Sequence, residues 1–375
     1  MTTATEKEIL QQPKAWRQVI ADIEAHSDEL ASFLDPILAI PGLRTVLTGA
    51  GSSAFAGELL APSLARRSGR RVEAVATTDL VSNPRDAFAE RLPTLLVSFA
   101  RSGNSPESLA ATDLADALLP DVKQLVITCN RDGALARNHD HKQGSLVLLT
   151  PDFTHDRGFA MTSSFTSMTL AAWSVLGSAG VDDQRVAQLS SAAEWVNDRR
   201  AELRRRATAG YERIVYLGSG PLRAAARESA LKVLELTAGE LISYHESSLG
   251  FRHGPKSVLR DRTLVVAYVS NDPYTRRYDL DIVAEMRQAV GGENVLAIGA
   301  DDGRADAGSL DWVLPGLGQE DDSLLALPCL VAAQWLALES SIALGLTPDN
   351  PFPNGEVNRV VQGVTIHPLL TADRR

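Results

Sequence analysis

The sequence predicts an α/β protein with two doubly wound parallel sheets in tandem, preceded by a helical arm. Three observations predict this fold class. Short runs rich in β-branched residues alternate with longer segments of helical apolar spacing. The run that begins at Arg44 recurs at Arg213, an offset of 169 (213 minus 44). In both copies a predicted strand leads into a glycine pair and then into a helix.

The segment 1–40 has apolar side chains at helical spacing, from Trp16 to Leu34, and is predicted to form the arm. The first lobe is predicted at 41–207. Its predicted strands are Thr45–Thr48, Val72–Ala76, Thr94–Phe99, Leu125–Thr128 and Leu146–Leu149, followed by helices at Thr162–Gly180 and Asp183–Ala207. The last helix ends in an arginine-rich run, which predicts a solvated helix end at the junction between the lobes.

The second lobe is predicted at 208–375 and repeats the first. Thr263 is equivalent to Thr94 at the same offset of 169 (263 minus 94), and Val295 is equivalent to Leu125 at an offset of 170 (295 minus 125). A near-constant offset over three strands indicates two copies of one domain. It does not fit a solenoid, whose repeats are about 20 to 50 residues long.

Composition narrows the classes of function. The chain has 37 basic and 47 acidic residues and a formal charge of −10, which disfavours a nucleic-acid binder and leaves only a local site for an anion. Cys129 and Cys329 form no C-x-x-C motif, so neither a disulfide framework nor a metal site is expected. No signal peptide is visible, and the apolar stretch Leu324–Leu346 contains proline and glutamate. We expect a soluble, cytoplasmic protein.

Two strand ends in the first lobe carry residues suited to an anion. One has the sequence Gly49-Ala50-Gly51-Ser52-Ser53, and the other Arg101-Ser102-Gly103-Asn104-Ser105-Pro106. Glycines let the backbone approach a ligand, and serines add donors at the positive end of a helix. Each loop alone also fits an ordinary capped turn. Because the two loops follow neighbouring strands, we expect a phosphate between them. NAD is not expected, since position 54 is alanine where the dinucleotide fingerprint has glycine.

The second lobe has lost these donors, and prolines and an acidic residue stand in their place. It carries Lys232 and Glu235, three residues apart on one helix face, and a loop in which His253 precedes Gly-Pro. A surface salt bridge and a packed turn explain this spacing as well as catalysis does. Near a sheet crevice, however, a base, a cation and a histidine suggest acid/base chemistry on a phosphorylated small molecule.

In this order, the motifs GAGSS, SFARSGNSPES and LKVLEL with FRHGP resemble those of the sugar isomerase (SIS) domain family, here in tandem. The segments SLGFRHGPK and NPFPNGEVNRVVQGVTIHP are similar to those of one group in particular. This is the galactosamine-6-phosphate deaminase/isomerase group, once called tagatose-6-phosphate ketose/aldose isomerases. The resemblance extends over the chain from about Pro41.

The resemblance implies flavodoxin-like SIS domains and an ammonia-releasing deaminase/isomerase, of hydrolase or isomerase class. Galactosamine 6-phosphate would give tagatose 6-phosphate, with no cofactor and no metal. Ser53, Ser102 and Ser105 fall on the positions that hold the phosphate. The other residues expected to bind substrate are Gly51, Ser52, Arg101, Gly103, Asn104 and Gln362.

The resemblance also assigns catalytic roles. Glu235 falls on the glutamate that moves a proton between C1 and C2, and Lys232 on a lysine that stabilises the charged intermediate. His253 falls on the ring-opening histidine, which relatives supply from a neighbouring subunit. A homodimer or a higher even oligomer is therefore implied, with no nucleic-acid or membrane partner.

Two departures favour ammonia release over synthesis. Gln362 aligns with a catalytic lysine of the related glucosamine-6-phosphate synthase, and the segment 1–40 that precedes the first lobe is too short for a glutaminase. Deamination of glucosamine 6-phosphate and plain aldose/ketose isomerisation stay open, because no residue can be assigned to C4. A non-catalytic sugar-phosphate sensor is a further alternative, although the short acidic arm does not resemble a DNA-binding domain.

Overall fold

The computed structural model describes residues 2–177, 180–301, 303, 308–361 and 363–369. Its strands are β1 Arg44–Thr48, β2 Arg71–Ala74, β3 Thr94–Ala100, β4 Val122–Thr128, β5 Ser145–Leu149, β6 Arg213–Leu217, β7 Ile242–Glu246, β8 Thr263–Tyr268, β9 Val295–Ala300 and β10 Trp312–Leu314. Its helices are α1 Ala4–Leu10, α2 Gln12–Ala25, α3 Ser27–Leu38, α4 Ser52–Ser68, α5 Thr77–Ser82, α6 Pro84–Ala87, α7 Pro106–Leu118, α8 Ala134–His139, α9 Ser163–Leu176, α10 Asp183–Asn197, α11 Arg200–Ala207, α12 Pro221–Leu236, α13 Pro273–Val290 and α14 Asp322–Ala343.

The strands form two five-stranded parallel sheets with the same internal order. The first sheet runs β2-β1-β3-β4-β5 and the second β7-β6-β8-β9-β10. Register is repeated as well, since Arg44 pairs with Thr94 in the first sheet and Arg213 pairs with Thr263 in the second. The predicted fold class, two doubly wound sheets in tandem, is therefore confirmed. Both sheets carry helices on their faces, which is why β1, β3, β8 and β9 are buried along their whole length.

The two lobes share one hydrophobic core. Helices α4 and α12, which follow the first strand of each sheet, lie against each other, and α14 lies against α12. A single buried cluster contains Leu47 of the first sheet, Tyr216 of the second and Trp335 of α14. Helix α14 is long and apolar enough to cross a membrane, but almost all of it is buried in this core. The boundaries at 40 and 207 stay predictions.

One predicted helix is wrong. The segment predicted as a single helix, Asp183–Ala207, forms two helices that are separated at Asp198 and Arg199. After the break, Arg200 and Arg204 both bind the carboxylate of Glu339, a buried residue of α14. The arginine run is thus only partly a solvated helix end. Two of its members pair with the buried carboxylate of Glu339. Without a partner, that buried charge would cost several kcal/mol of folding free energy.

The N-terminal helices support the segment that leads to the site. The indole of Trp16 is fully buried and donates to the Thr166 hydroxyl (3.0 Å). The Glu8 carboxylate accepts hydrogen bonds from the backbone N–H groups of residues 157 and 158. The backbone N–H and the hydroxyl of Thr5 both donate to Asp349 at 2.8 Å. The arm therefore fixes both the 156–162 loop and the start of the C-terminal tail.

Candidate active site

A cavity of about 390 Å³ lies where the carboxyl edge of the first sheet faces α12. Its wall combines the turn before α4, the loop between β3 and α7, the loop at 159–161, one face of α12 and the C-terminal tail. We call residues 353–361 of this tail the strap, because its last five residues close one side of the cavity. Both lobes contribute to the cavity, so a ligand there would contact the two copies of the fold at once.

Glycines shape the turn before α4. Gly51 has a φ of 57°, a conformation that side-chain-bearing residues rarely adopt. A Cβ at Gly49 would lie 2.6 Å from the backbone of Ser53, which is closer than real contacts allow. This tight turn starts α4 at Ser52, so Ser52 and Ser53 present the N-terminal end of the helix to the cavity. Gly51, Ser52 and Ser53 therefore line the cavity, and their contact with substrate stays a prediction.

The second predicted loop divides into residues that face the cavity and residues that shape the loop. Ser102 and Ser105 line the cavity. Ser105 precedes α7, and its hydroxyl does not cap the helix but lies 3.4 Å from the hydroxyl of Ser108, which also lines the cavity. Gly103 and Asn104 are not part of the cavity lining. The Gly103 carbonyl accepts a hydrogen bond from the backbone N–H of Leu135 (2.8 Å). The side-chain oxygen of Asn104 accepts one from the backbone N–H of Ala134 (2.9 Å).

Arg101 lines the cavity, but its guanidinium is partly committed to the backbone. It donates to the carbonyl of Phe159 (3.0 Å) and to the carbonyl of Arg359 in the strap (2.9 Å). Burial, and then repulsion by the Arg359 guanidinium, lower the pKa of Arg101. Arg101 thus ties the strap and the 159–161 loop to the end of β3, which is a different contribution from the predicted contact with phosphate.

The charged groups of α12 lie at different distances from the cavity. Glu235 reaches the cavity, whereas Lys232 lies behind it with no solvent exposure. The Lys232 ammonium donates to Glu235 and to the Ser52 hydroxyl (3.0 Å). Burial alone lowers the pKa of Lys232, but the carboxylates of Glu228 and Glu235 outweigh it, so the pKa is raised. Lys232 is therefore a buried cation that acts on the cavity through Glu235.

Glu228 belongs to the same cluster and was not predicted from the sequence. It is fully buried, and its Oε1 atom lies 3.2 Å from Lys232 Nζ, yet neither carboxylate oxygen accepts a well-aligned hydrogen bond. Burial raises the pKa of Glu228 to about 7 against the attraction of Lys232. Positions 228, 232 and 235 share a helix face at i, i+4 and i+7 spacing, a signal that could have identified the residue.

The two predicted site residues that remain are His253 and Gln362. His253 is exposed in a turn between two short 3₁₀ segments, and it does not line the cavity of its own chain. The turn is anchored on both sides, because Arg252 and Lys256 both pair with Glu285 of α13. Gln362 lies outside the residues that the structure describes. Its predicted contact with substrate remains a prediction, as does the supply of His253 by a neighbouring subunit.

Comparison with known proteins agrees with this fold. The SIS domain model matches residues 41–177. A Streptomyces coelicolor protein that carries the AgaS name is 59% identical over 97% of this chain and 95% of its own length. The Escherichia coli D-galactosamine-6-phosphate deaminase AgaS is 47% identical over 98% of this chain and 96% of its own length. The crystal structure of tagatose-6-phosphate ketose/aldose isomerase from Escherichia coli has a TM-score of 0.90 and 44% identity, covering 98% of both chains.

The fold and the cavity define a protein of tandem sugar isomerase domains. With relatives this similar over almost its full length, the chain belongs to the SIS domain family, in the AgaS group. The resemblance stated from the sequence motifs is therefore confirmed. Among the residues that the structure describes, no group of three or more His, Cys, Asp or Glu side chains is arranged to hold a metal ion.

Proposed function

We propose that this protein is a phosphosugar deaminase/isomerase that converts D-galactosamine 6-phosphate and water to D-tagatose 6-phosphate and ammonia. The observation that carries the proposal is the composition of the cavity between the lobes. Its first-lobe wall presents serine hydroxyls and a helix N-terminus, which suit a phosphate. Its second-lobe wall presents the carboxylate of Glu235, which suits proton abstraction from carbon.

The phosphate end positions the substrate for the reaction. Ser53, Ser102 and Ser105 would hold the phosphate at C6, far from the atoms that react. Binding energy gained there fixes C1 and C2 beside Glu235 and replaces a chance encounter with a defined geometry. Phosphate binding is thus proposed for the first lobe and proton transfer for the second, which fits a cavity whose serine wall faces Glu235.

The chemistry follows from the open-chain sugar. His253, supplied by a second copy of the chain, would open the pyranose ring. Glu235 would then take the proton from C2, and the electron pair left on carbon would form the C1–C2 double bond of an enolamine. Return of the proton to C1 gives an imine at C2. Water adds to this imine and ammonia leaves, so the ketose phosphate forms with all atoms accounted for.

The buried cluster contacts the proposed base directly. Glu235 has to be ionised to accept a proton, and the Lys232 ammonium is in direct contact with it. Ser52, at the start of α4, accepts from the same ammonium, so the phosphate-binding turn and the base are linked through one cation. Proton transfer of this kind uses side chains alone and needs no metal or organic cofactor. We assign the enzyme to the cytoplasm.

An ammonia-release assay on galactosamine 6-phosphate and glucosamine 6-phosphate, run side by side, tests the proposal. We expect ammonia from the galacto substrate at a clearly higher kcat/KM. Preference for the gluco substrate would replace the assigned sugar. Plain ketose/aldose isomerisation is the second candidate, because the similar Escherichia coli structure carries that name. Ketose formation from a neutral aldose phosphate, without ammonia release from either amino sugar, would favour it.

A further inference from the structure

Two arginines line the cavity, and the guanidinium of one of them has a donor without a partner in the described part of the chain. Arg101 is bonded to the carbonyls of Phe159 and Arg359. Arg359 lies in the strap and donates through one terminal nitrogen to the carbonyl of Asp156. Its Nε atom is buried and has no hydrogen-bond partner in the described part of the chain. A buried N–H of a charged group without a partner is costly, and such groups in native proteins call for an explanation.

The carboxylates nearby do not neutralise Arg359. The fully buried Asp156 carboxylate already accepts from five donors, which are the backbone N–H groups of Thr162 and Ser164 and the hydroxyls of Thr162, Ser163 and Ser164. Glu235 is paired with Lys232. Repulsion between the two guanidinium groups contributes to the lowered pKa of Arg101. Arg101 and Arg359 therefore make this end of the cavity positively charged. No carboxylate of the described residues is in direct contact with either guanidinium.

We infer that Arg359 binds the phosphate group of the substrate, together with the serine hydroxyls, and so closes the strap over the occupied cavity. The inference rests on the proposed function and adds a residue to it. An aminosugar phosphate has an anionic end and a cationic end. A guanidinium repels the protonated amine and forms charge-assisted bonds with phosphate oxygens, so Arg359 belongs at the phosphate end.

The construction of the strap fits this role. Residues 353–358 are exposed, and the backbone of the strap is held to the first lobe by Arg101. Before the strap, the ring of Phe352 lies 5.2 Å from that of Phe159. A segment with so few attachments is stabilised by a ligand that bonds to it and to the serine loops at once. Arg359 thereby couples phosphate binding to closure.

Inorganic phosphate is the probe for this inference, and its binding is measured by titration calorimetry. We expect Arg359→Ala to raise the Kd for phosphate by about ten- to hundredfold, the range for one charge-assisted hydrogen bond. Arg359→Lys should lie between Arg359→Ala and the wild type. Glu356→Gln, an exposed change in the same strap, should bind phosphate like the wild type. Phosphate should also slow amide hydrogen exchange of residues 353–361 in the wild type but not in Arg359→Ala.

The outcomes separate this inference from the proposed function. Wild-type phosphate affinity in Arg359→Ala, or no phosphate binding by the wild-type protein, would overturn the role of Arg359. Normal ammonia release by the wild type would then leave the proposed function standing. Conversely, loss of phosphate binding in Arg359→Ala, with no ammonia release from either sugar by the wild type, would support the role of Arg359 and sink the proposed reaction.

Discussion

Glu235 is held by a lysine that is itself shared. The Lys232 ammonium has three N–H donors, and its surroundings offer Glu235, Ser52 and the carboxylate of Glu228. The Lys232 ammonium pairs with Glu235, and the carboxylate of Glu228 competes for the same ammonium. Glu228 therefore limits how firmly Lys232 pairs with Glu235. A carboxylate that is engaged by an ammonium is less available to accept a proton, so Glu228 acts on the proposed base without reaching the substrate.

We expect Glu228→Gln to lower kcat for ammonia release by about tenfold. The variant keeps the shape of the side chain but removes the carboxylate that competes with Glu235 for the Lys232 ammonium, so the Glu235 carboxylate is paired more firmly. KM should change less than about twofold, because Glu228 does not line the cavity. Glu240→Gln, an exposed change of the same kind just after α12, should retain wild-type kinetics.

The pH profile distinguishes this role from a merely structural one. Because burial raises the pKa of Glu228 to about 7, the side chain is neutral below that pH and charged above it. The groups that act on it are Lys232 and Glu235 on its own helix and Ser52 from α4. Wild-type kcat should therefore rise as pH rises through about 7, whereas Glu228→Gln should lack this inflection. An inflection that persists in the variant would contradict the role.

At the scale of elements, the proposed anion site is formed by the start of α4 and the loop before α7. Both loops follow neighbouring parallel strands, β1 and β3, so their donors converge by topology. The second lobe repeats these strands in the same register but starts α12 with Pro221 instead of a serine. The repeat therefore preserves the scaffold in both copies and keeps these hydroxyl donors in only one.

The double change Ser102→Ala with Ser105→Ala tests this arrangement. We expect KM for the phosphosugar to rise by at least about tenfold, since each hydroxyl donates to a charged group, while the fold is kept. Ser191→Ala, an exposed change on α10, is the matched control. Steady-state kinetics measure the effect. An unchanged KM would mean that the phosphate binds elsewhere.

The helices and strands could be predicted from the sequence more fully than the side-chain contacts between distant elements. Strands such as β1 and β3 are predictable because a buried parallel strand is a short apolar run between turns. The pairing of α11 with α14 was missed because Glu339, which binds the arginines of α11, is far away in sequence and reaches that helix only through the shared core. Arg359 was missed for the same reason, because its partner, the 156–162 loop, comes close only in the folded chain. Glu228 shares a helix face with Lys232 and Glu235, so its spacing alone could have identified it.

At the scale of the whole molecule, the predicted ring-opening histidine lies outside the cavity. The ring of His253 is exposed and lies outside the cavity of its own chain, on a turn that Glu285 anchors from both sides. A histidine presented to solvent on an anchored turn is suited to enter the site of another copy. We therefore expect a symmetric oligomer in which each site takes Glu235 from one chain and His253 from another.

Mixing two inactive variants tests the shared site. Glu235→Gln and His253→Ala, co-expressed with different tags, should restore about a quarter of wild-type ammonia release. Half of randomly formed dimers are mixed, and each mixed dimer has one complete site of two. The separately purified variants provide the baseline. No recovery in isolated mixed dimers would show that both residues act within one chain.

The central claim is that Glu235 abstracts the C2 proton of an aminosugar phosphate in the cavity between the lobes. The most direct measurement follows galactosamine 6-phosphate labelled with ¹³C at C2 by NMR, with wild type and Glu235→Gln in parallel. The wild type should produce a ketose carbonyl and one ammonia per ketose. The variant should still bind the substrate but lose a factor of about 10² to 10⁴ in rate. Turnover of the variant at a rate near that of the wild type would contradict the account.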